Sequence, residues 1–177
     1  MTQTVARSYT TSWDAILRIR VQPIEIQLLM VKALGGEPKA LPFNEVFSAL
    51  QQGVVDAEEN SIALILSNGY AAVQKYLTLT HHTYTPMPLL ASEEVWNTIS
   101  PADQKIIQDA ARHSAQVNRA ETDRLEKEGL AMLEKAGMQV TSTIDRAAFE
   151  AAVATAYVEY ARMFGQDTID RIRNYKP

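Results

Sequence analysis

Cysteine is absent from the 177 residues, which removes disulfides, thiolate nucleophiles and Cys-ligated zinc together. That absence suits an exported protein that avoids thiols and equally many cytosolic ones, so it leaves the compartment open. No apolar run approaches the length of a membrane-spanning helix, and Met1 to Asp14 (MTQTVARSYTTSWD) lacks the apolar core of a signal peptide. The chain as written is therefore expected to be soluble and to carry no export leader. Clustered basic residues are also missing. With 17 Lys and Arg against 21 Asp and Glu, a formal charge of -4 and a pI near 5.4, a nucleic-acid surface is excluded. There is no internal repeat and no low-complexity segment; residues 147–161 are simply alanine-rich helix.

The patterns of catalysis are absent as well. No glycine-rich phosphate loop occurs, because Gly35-Gly36 reads as a helix stop, and no serine stands in a nucleophile elbow or beside a His-Asp pattern. Glu58 and Glu59 are adjacent and alternate faces at a strand end, unlike the facing carboxylates of a hydrolase. His81 and His82 are adjacent on an extended segment and point apart, so they do not share a metal. The expectation is a protein that is no enzyme and holds neither metal nor cofactor.

What is present is an ordinary globular composition, 46% hydrophobic and 21% charged, at a length that forms its own core. Leu17, Ile19 and Val21 share one face of a half-buried strand stopped by Pro23, with Arg18 and Arg20 on the other. Ile24 to Leu34 reads as a helix and Pro38 to Leu41 as a second strand. Asn44 is the expected N-cap of a helix bearing Val46, Phe47 and Leu50 and ended by Gly53, with a third strand over Val54 to Ala57 and a helix opening at Ser61. Such alternation on short loops predicts a parallel-rich sheet with helices on both faces. Lys75 to Ala91 reads as extended chain broken near Pro86 and Pro88. Ser92 and Ser100 are expected caps, and Ser100-Pro101 starts a helix reaching Ala136, ~54 Å long at ~1.5 Å per residue. A strand over Met138 to Ile144 and a helix capped by Asp145, with Phe149, Val153, Tyr157 and Tyr160 inward, complete the pattern. The segments are 1–16, an α/β lobe with a hinge segment over 17–91, and a helical part over 92–177 containing the long helix 101–136.

Three motifs stand in order: LRIRVQP at Leu17 to Pro23, LPFNEVFSALQQGVVDAEEN at Leu41 to Asn60, and VQKYLTLTHH at Val73 to His82. Together they resemble the solute-receptor family of TRAP transporters, of the DctP type, whose pattern runs roughly (I/L)RV, then PF.EV..ALQ.G.VDG.EN, then VQKYL..T.H. The resemblance implies the α/β fold of a periplasmic-binding-protein lobe with a long spanning helix. It also implies an organic acid or dicarboxylate ligand, membrane permease subunits as partners and a periplasmic location. Family members are two-lobed clamps, and only about sixteen residues precede the first motif here, so a second lobe alone is expected. An isolated lobe is expected to bind weakly and to self-associate, a dimer being the simplest outcome. Two departures stand out: Asp56-Ala57-Glu58-Glu59-Asn60 lacks the family's glycine, and Thr80-His81-His82 has histidine where an amide is usual.

The resemblance marks Arg20, Phe43, Asn60 and His81 as ligand-binding residues. Arg20, at a strand's C-terminal end where open α/β sheets bind ligands, offers a planar fork matched to a carboxylate; the alternative is a structural salt bridge to Glu58 or Glu59. Phe43 either shelters that carboxylate pair from water or serves as a hydrophobic staple of its helix. Asn60 either donates to the acid or caps the following helix. His81 is a further donor; His82 reads as a structural, hydrogen-bonded residue and His113 as solvated.

Overall fold

The structure is a computed structural model that describes the backbone of Thr2–Val5 together with residues 17–176. Six strands form one sheet in the order β3-β2-β4-β1-β5-β6. They are β1 (Thr2–Val5), β2 (Arg18–Val21), β3 (Glu37–Ala40), β4 (Ala57–Ser61), β5 (Tyr76–Thr83) and β6 (Gln139–Thr141). The pairs β2–β3, β2–β4 and β5–β6 are parallel, in keeping with the strand-helix alternation that precedes each second strand. Between these two parallel wings β1 lies antiparallel to both β4 and β5. Segment 1–16 thus contributes a central strand to the sheet.

Helices α1 (Glu25–Ala33) and α6 (Arg146–Phe164) pack on one face, where Ile19, Val21 and Ala57 meet Val31. Tyr160 of α6 donates its hydroxyl to the Ile26 carbonyl at 2.7 Å and ties the two helices together. The larger core lies on the other face. There Val46, Ala49 and Leu50 of α2 (Val46–Gln51), Ile62 and Ile65 of α3 (Ile62–Ser67), Leu77 of β5 and Leu133 of α5 (Pro101–Lys135) close a cluster around Tyr70. The result is three layers, helices on either side of a sheet. Short α4 (Glu93–Trp96) leads into α5, and α7 (Gln166–Arg173) follows α6.

The 35-residue α5 begins as its sequence demands. Ser100 accepts from the Asp103 amide at 3.2 Å and Pro101 occupies the first turn. Only its C-terminal part packs, with Gly129 and Leu133 buried against the lobe. A methyl group on Gly129 would stand 2.6 Å from Leu66 Cδ1 and 2.7 Å from Ile62 Cγ2, so α3 and α5 approach where a side chain is missing. The projecting turns carry their own i,i+3 and i,i+4 pairs, Lys105–Asp109, Arg112–Asp109 and Arg124 with Glu121 and Glu128, worth ~0.2–0.5 kcal/mol each. No helix among the described residues is long and apolar enough to cross a membrane.

Five expected details are corrected. Asn44 does not cap α2: residues Phe43–Glu45 form a 3-10 turn that runs straight into the helix, and no side chain caps it. The third strand begins at Ala57 rather than Val54, because Gly53 in the left-handed region ends α2 and the Val54 and Val55 amides still bond back to the Ala49 carbonyl. Tyr157 is exposed rather than inward, and Ala156 is the buried residue of α6. Ser92 precedes α4 without a side-chain capping bond. The last strand is confined to Gln139–Thr141.

Candidate ligand-binding site

Strand alternation divides the polar residues of the sheet centre between its two faces. Arg20 and Glu58 are register partners on parallel strands, and Asn60 follows Glu58 by two residues, so all three share the face that carries α2 and α3. Glu59, between them in sequence, faces the other way. Arg20 is 1% exposed and Glu58 is fully buried, in a position normally filled by aliphatic side chains.

The Arg20 guanidinium donates through both Nε, at 3.0 Å, and Nη2, at 2.9 Å, to the Leu41 carbonyl. This holds the fork in one orientation against the loop that leads into the 3-10 turn. The Phe43 ring lies over it, 5.9 Å from guanidinium carbon to ring centroid, within cation–π range. Nη1 is buried and has no hydrogen-bond partner among the described residues. No ion pair joins Arg20 to Glu58 or Glu59 among the described residues, so the salt-bridge alternative is not realised. Burial works against the Arg20 charge, while Glu59, Glu58 and Tyr70 partly restore it.

Glu58 accepts a short hydrogen bond from Asn60 Nδ2 on Oε2, and its Oε1 is buried without a partner. Burial pushes the Glu58 carboxyl up to about 8; the Asn60 hydrogen bond and Arg20 pull it down, and Glu59 pushes it further up. Tyr70 is buried beside this pair, its hydroxyl raised by burial and by Glu58 and lowered by Arg20. Capping of α3 falls to Ser61, which accepts from the Leu64 amide at 3.4 Å, so Asn60 is free of that duty.

On the opposite face His82 Nε2 stands 3.5 Å from Glu59 Oε2, and His82 Nδ1 is 2.7 Å from Thr80 Oγ1. This arrangement depends on a bulge. Thr2 and Thr4, two residues apart, face Thr83 and Thr78, five residues apart, and His81 sits inside the loop-out with φ 47°. That left-handed turn sends His81 outward and exposed while His82 turns inward. His113 is exposed on α5.

Of the four residues marked by sequence, Arg20, Phe43 and Asn60 gather at one sheet edge, whereas His81 lies on the outward side of the bulge. Phe43 belongs to neither buried cluster and is 42% exposed. Glu58 and Tyr70 complete the group and are the residues the sequence did not single out. The signal for Glu58 was its alternation with Ala57 and Glu59, which puts it on the same strand face as Asn60.

Residues 15–163 match the model of the bacterial extracellular solute-binding proteins, family 7. The chain belongs to this family. Its curated and solved relatives are solute-binding proteins. It is 37% identical over 158 residues to a solute-binding protein of Verminephrobacter eiseniae, covering 89% of this chain and 47% of the relative. A TRAP periplasmic solute-binding protein from Polaromonas sp. JS666, bound to D-erythronate, is 36% identical and superposes with a TM-score of 0.93 over 99% of this chain and 59% of its own. Another from Bordetella bronchispeptica, with density assigned to pantoate, is 38% identical with a TM-score of 0.92 and the same coverage. The chain thus spans about half the length of the curated relatives it matches.

Proposed function

We propose that this family member binds the carboxylate of a small organic acid at Arg20 and is the solute receptor of a TRAP-type transporter, delivering its ligand to membrane permease subunits in the periplasm. The observation that carries the proposal is the unpartnered, buried Nη1 of Arg20, whose guanidinium lies over Phe43. A buried guanidinium edge without an acceptor is costly, and an incoming carboxylate supplies one with the geometry a bidentate fork favours. The Phe43 ring, held by no core cluster, is displaced or tilted as the acid reaches it and then screens the pair from water. Asn60 supplies an amide donor next to the same edge, and His81 an outward donor farther along β5.

D-erythronate and pantoate, the acids named with the two solved relatives, are both hydroxy monocarboxylates, and this class is the proposed ligand here. Bound by the 177 residues alone, the carboxylate is covered from one side, where charge pairing contributes ~1 kcal/mol or less, so millimolar rather than submicromolar affinity is expected. The test is a nitrogen-15 NMR titration of the Arg20 Nε resonance with D-erythronate. Saturable movement of that resonance supports the proposal, and movement absent at Arg20 but present elsewhere overturns it.

A second reading concerns association. Tyr84, Leu89, Val95, Met87 at 90% exposure and Leu90 at 82% form an exposed apolar stretch next to the projecting part of α5, where Ile106 and Val117 are also exposed. Such a surface favours burial between copies of this chain. Light scattering that finds a dimer supports this reading, and a monomer at high concentration contradicts it.

A further inference from the structure

Glu58 has no part in the carboxylate anchor as described, yet it is fully buried on the register position beside Arg20, with Oε2 held by Asn60 and Oε1 unpartnered. We propose that Glu58 is a proton-dependent element of the acid site: an organic anion joins Arg20 only while the Glu58 carboxyl is neutral. This rests on the reading of Arg20 as the acid anchor.

The physical reason is charge. One buried guanidinium would otherwise face two carboxylates, the ligand's and Glu58's, in a region where like charges are poorly screened. The groups that face Glu58 do not relieve this. Among the described residues Arg20 on β2 is the cation that acts on Glu58, Glu59 on the opposite face of β4 adds another negative charge, Asn60 on β4 donates one hydrogen bond, and Tyr70 after α3 is itself pushed upward by Glu58. On β1 the register partner is Val5, which does not titrate. The carboxyl's elevation to about 8 fits a group kept neutral at ordinary pH. Neutral Glu58 also carries a proton, and its unpartnered Oε1 is the atom left to donate it. A ligand oxygen close to the carboxylate, such as the 2-hydroxyl of a hydroxy acid, is the acceptor that fits.

The consequence follows from linkage. Below the Glu58 midpoint the site is already protonated and affinity does not change with pH; above it each bound acid must take up one proton, and the Kd rises about tenfold per pH unit. The experiment is the Arg20 Nε titration with D-erythronate on the 177-residue chain, repeated from about pH 6 to about pH 10, with the Glu58 midpoint read from its carboxyl carbon-13 resonance. The proposal expects a flat Kd that turns upward at the Glu58 midpoint, and loss of that upturn in Glu58→Gln, which cannot ionise. An Arg20 resonance that follows the acid with a Kd flat across the range, or an upturn unrelated to the Glu58 midpoint, overturns the proposal and leaves the anchor intact. An Arg20 resonance that ignores the acid at every pH overturns both. The wild-type profile decides the matter even if the variant does not fold.

Discussion

Arg20 and Glu58 are register partners on adjacent parallel strands, both sealed from solvent, and each keeps one polar atom without a hydrogen-bond partner. A cation and a carboxyl placed this close without forming an ion pair make an unusual interior. Removing charge from water and leaving donors and acceptors unused both cost stability. A fold retains such an arrangement where the unused valences have a ligand to meet, and this pair sits at the strand edge that the family's solved members share in fold.

Substituting Arg20 tests the fork itself. Arg20→Lys loses the paired Nε and Nη2 bonds to the Leu41 carbonyl and the planar edge offered to an acid. In a complete two-lobed clamp, where the pair is closed off from water, binding of D-erythronate is expected to weaken by ~2 kcal/mol or more, roughly 30-fold, with the fold retained. Calorimetry or NMR titration showing unchanged affinity removes Arg20 from the site.

Stability should carry the signature of Glu58. Its folded-state value, about 8, lies above its ordinary 4.5, so between those values unfolding releases a proton. The contribution is fully present below the unfolded value and is lost as pH rises through the folded one, with a slope of up to ~1.4 kcal/mol per pH unit. Urea unfolding of the wild type and Glu58→Gln at a series of pH values measures this as a difference. A difference that does not change with pH contradicts it.

The contact between α3 and α5 is set by one glycine. At Gly129 a methyl group would meet Ile62 and Leu66 at 2.7 and 2.6 Å. The branched side chain of Gly129→Val is expected to cost ~1–3 kcal/mol by overpacking, visible as a lower urea midpoint. A variant as stable as the wild type shows that α5 shifts freely on the lobe.

Tyr160→Phe deletes the hydroxyl that binds the Ile26 carbonyl across the α1–α6 contact. A loss of ~0.5–1.5 kcal/mol is expected, with an unchanged denaturant slope. No loss means that water replaces the bond at no cost.

Much of this fold was legible from local chemistry. Ser100 and Asp145 cap the helices they were expected to cap, and Gly35, Gly53 and Gly137 adopt the left-handed conformations that end helices. The failures have a common cause. Glu58, Glu59 and Asn60 look like a strand end, yet they form the buried middle of β4, because β1 and β2 flank it and His82 stands against Glu59, neighbours that are distant in sequence. Likewise β1 was invisible, since four residues without a turn beside them give no pairing signal, and the His81 bulge follows only from its register. At the site, Arg20, Phe43 and Asn60 were marked through the motif; the Phe43 ring lies over Arg20 and Asn60 bonds Glu58, contacts that required the third dimension.

The most direct test of the central claim is a crystal structure of this chain grown with D-erythronate. The expected result is the acid's carboxylate within hydrogen-bond distance of Arg20 Nη1, beneath the Phe43 ring and within reach of Asn60. Acid bound elsewhere, with Nη1 still unpartnered, would contradict the account.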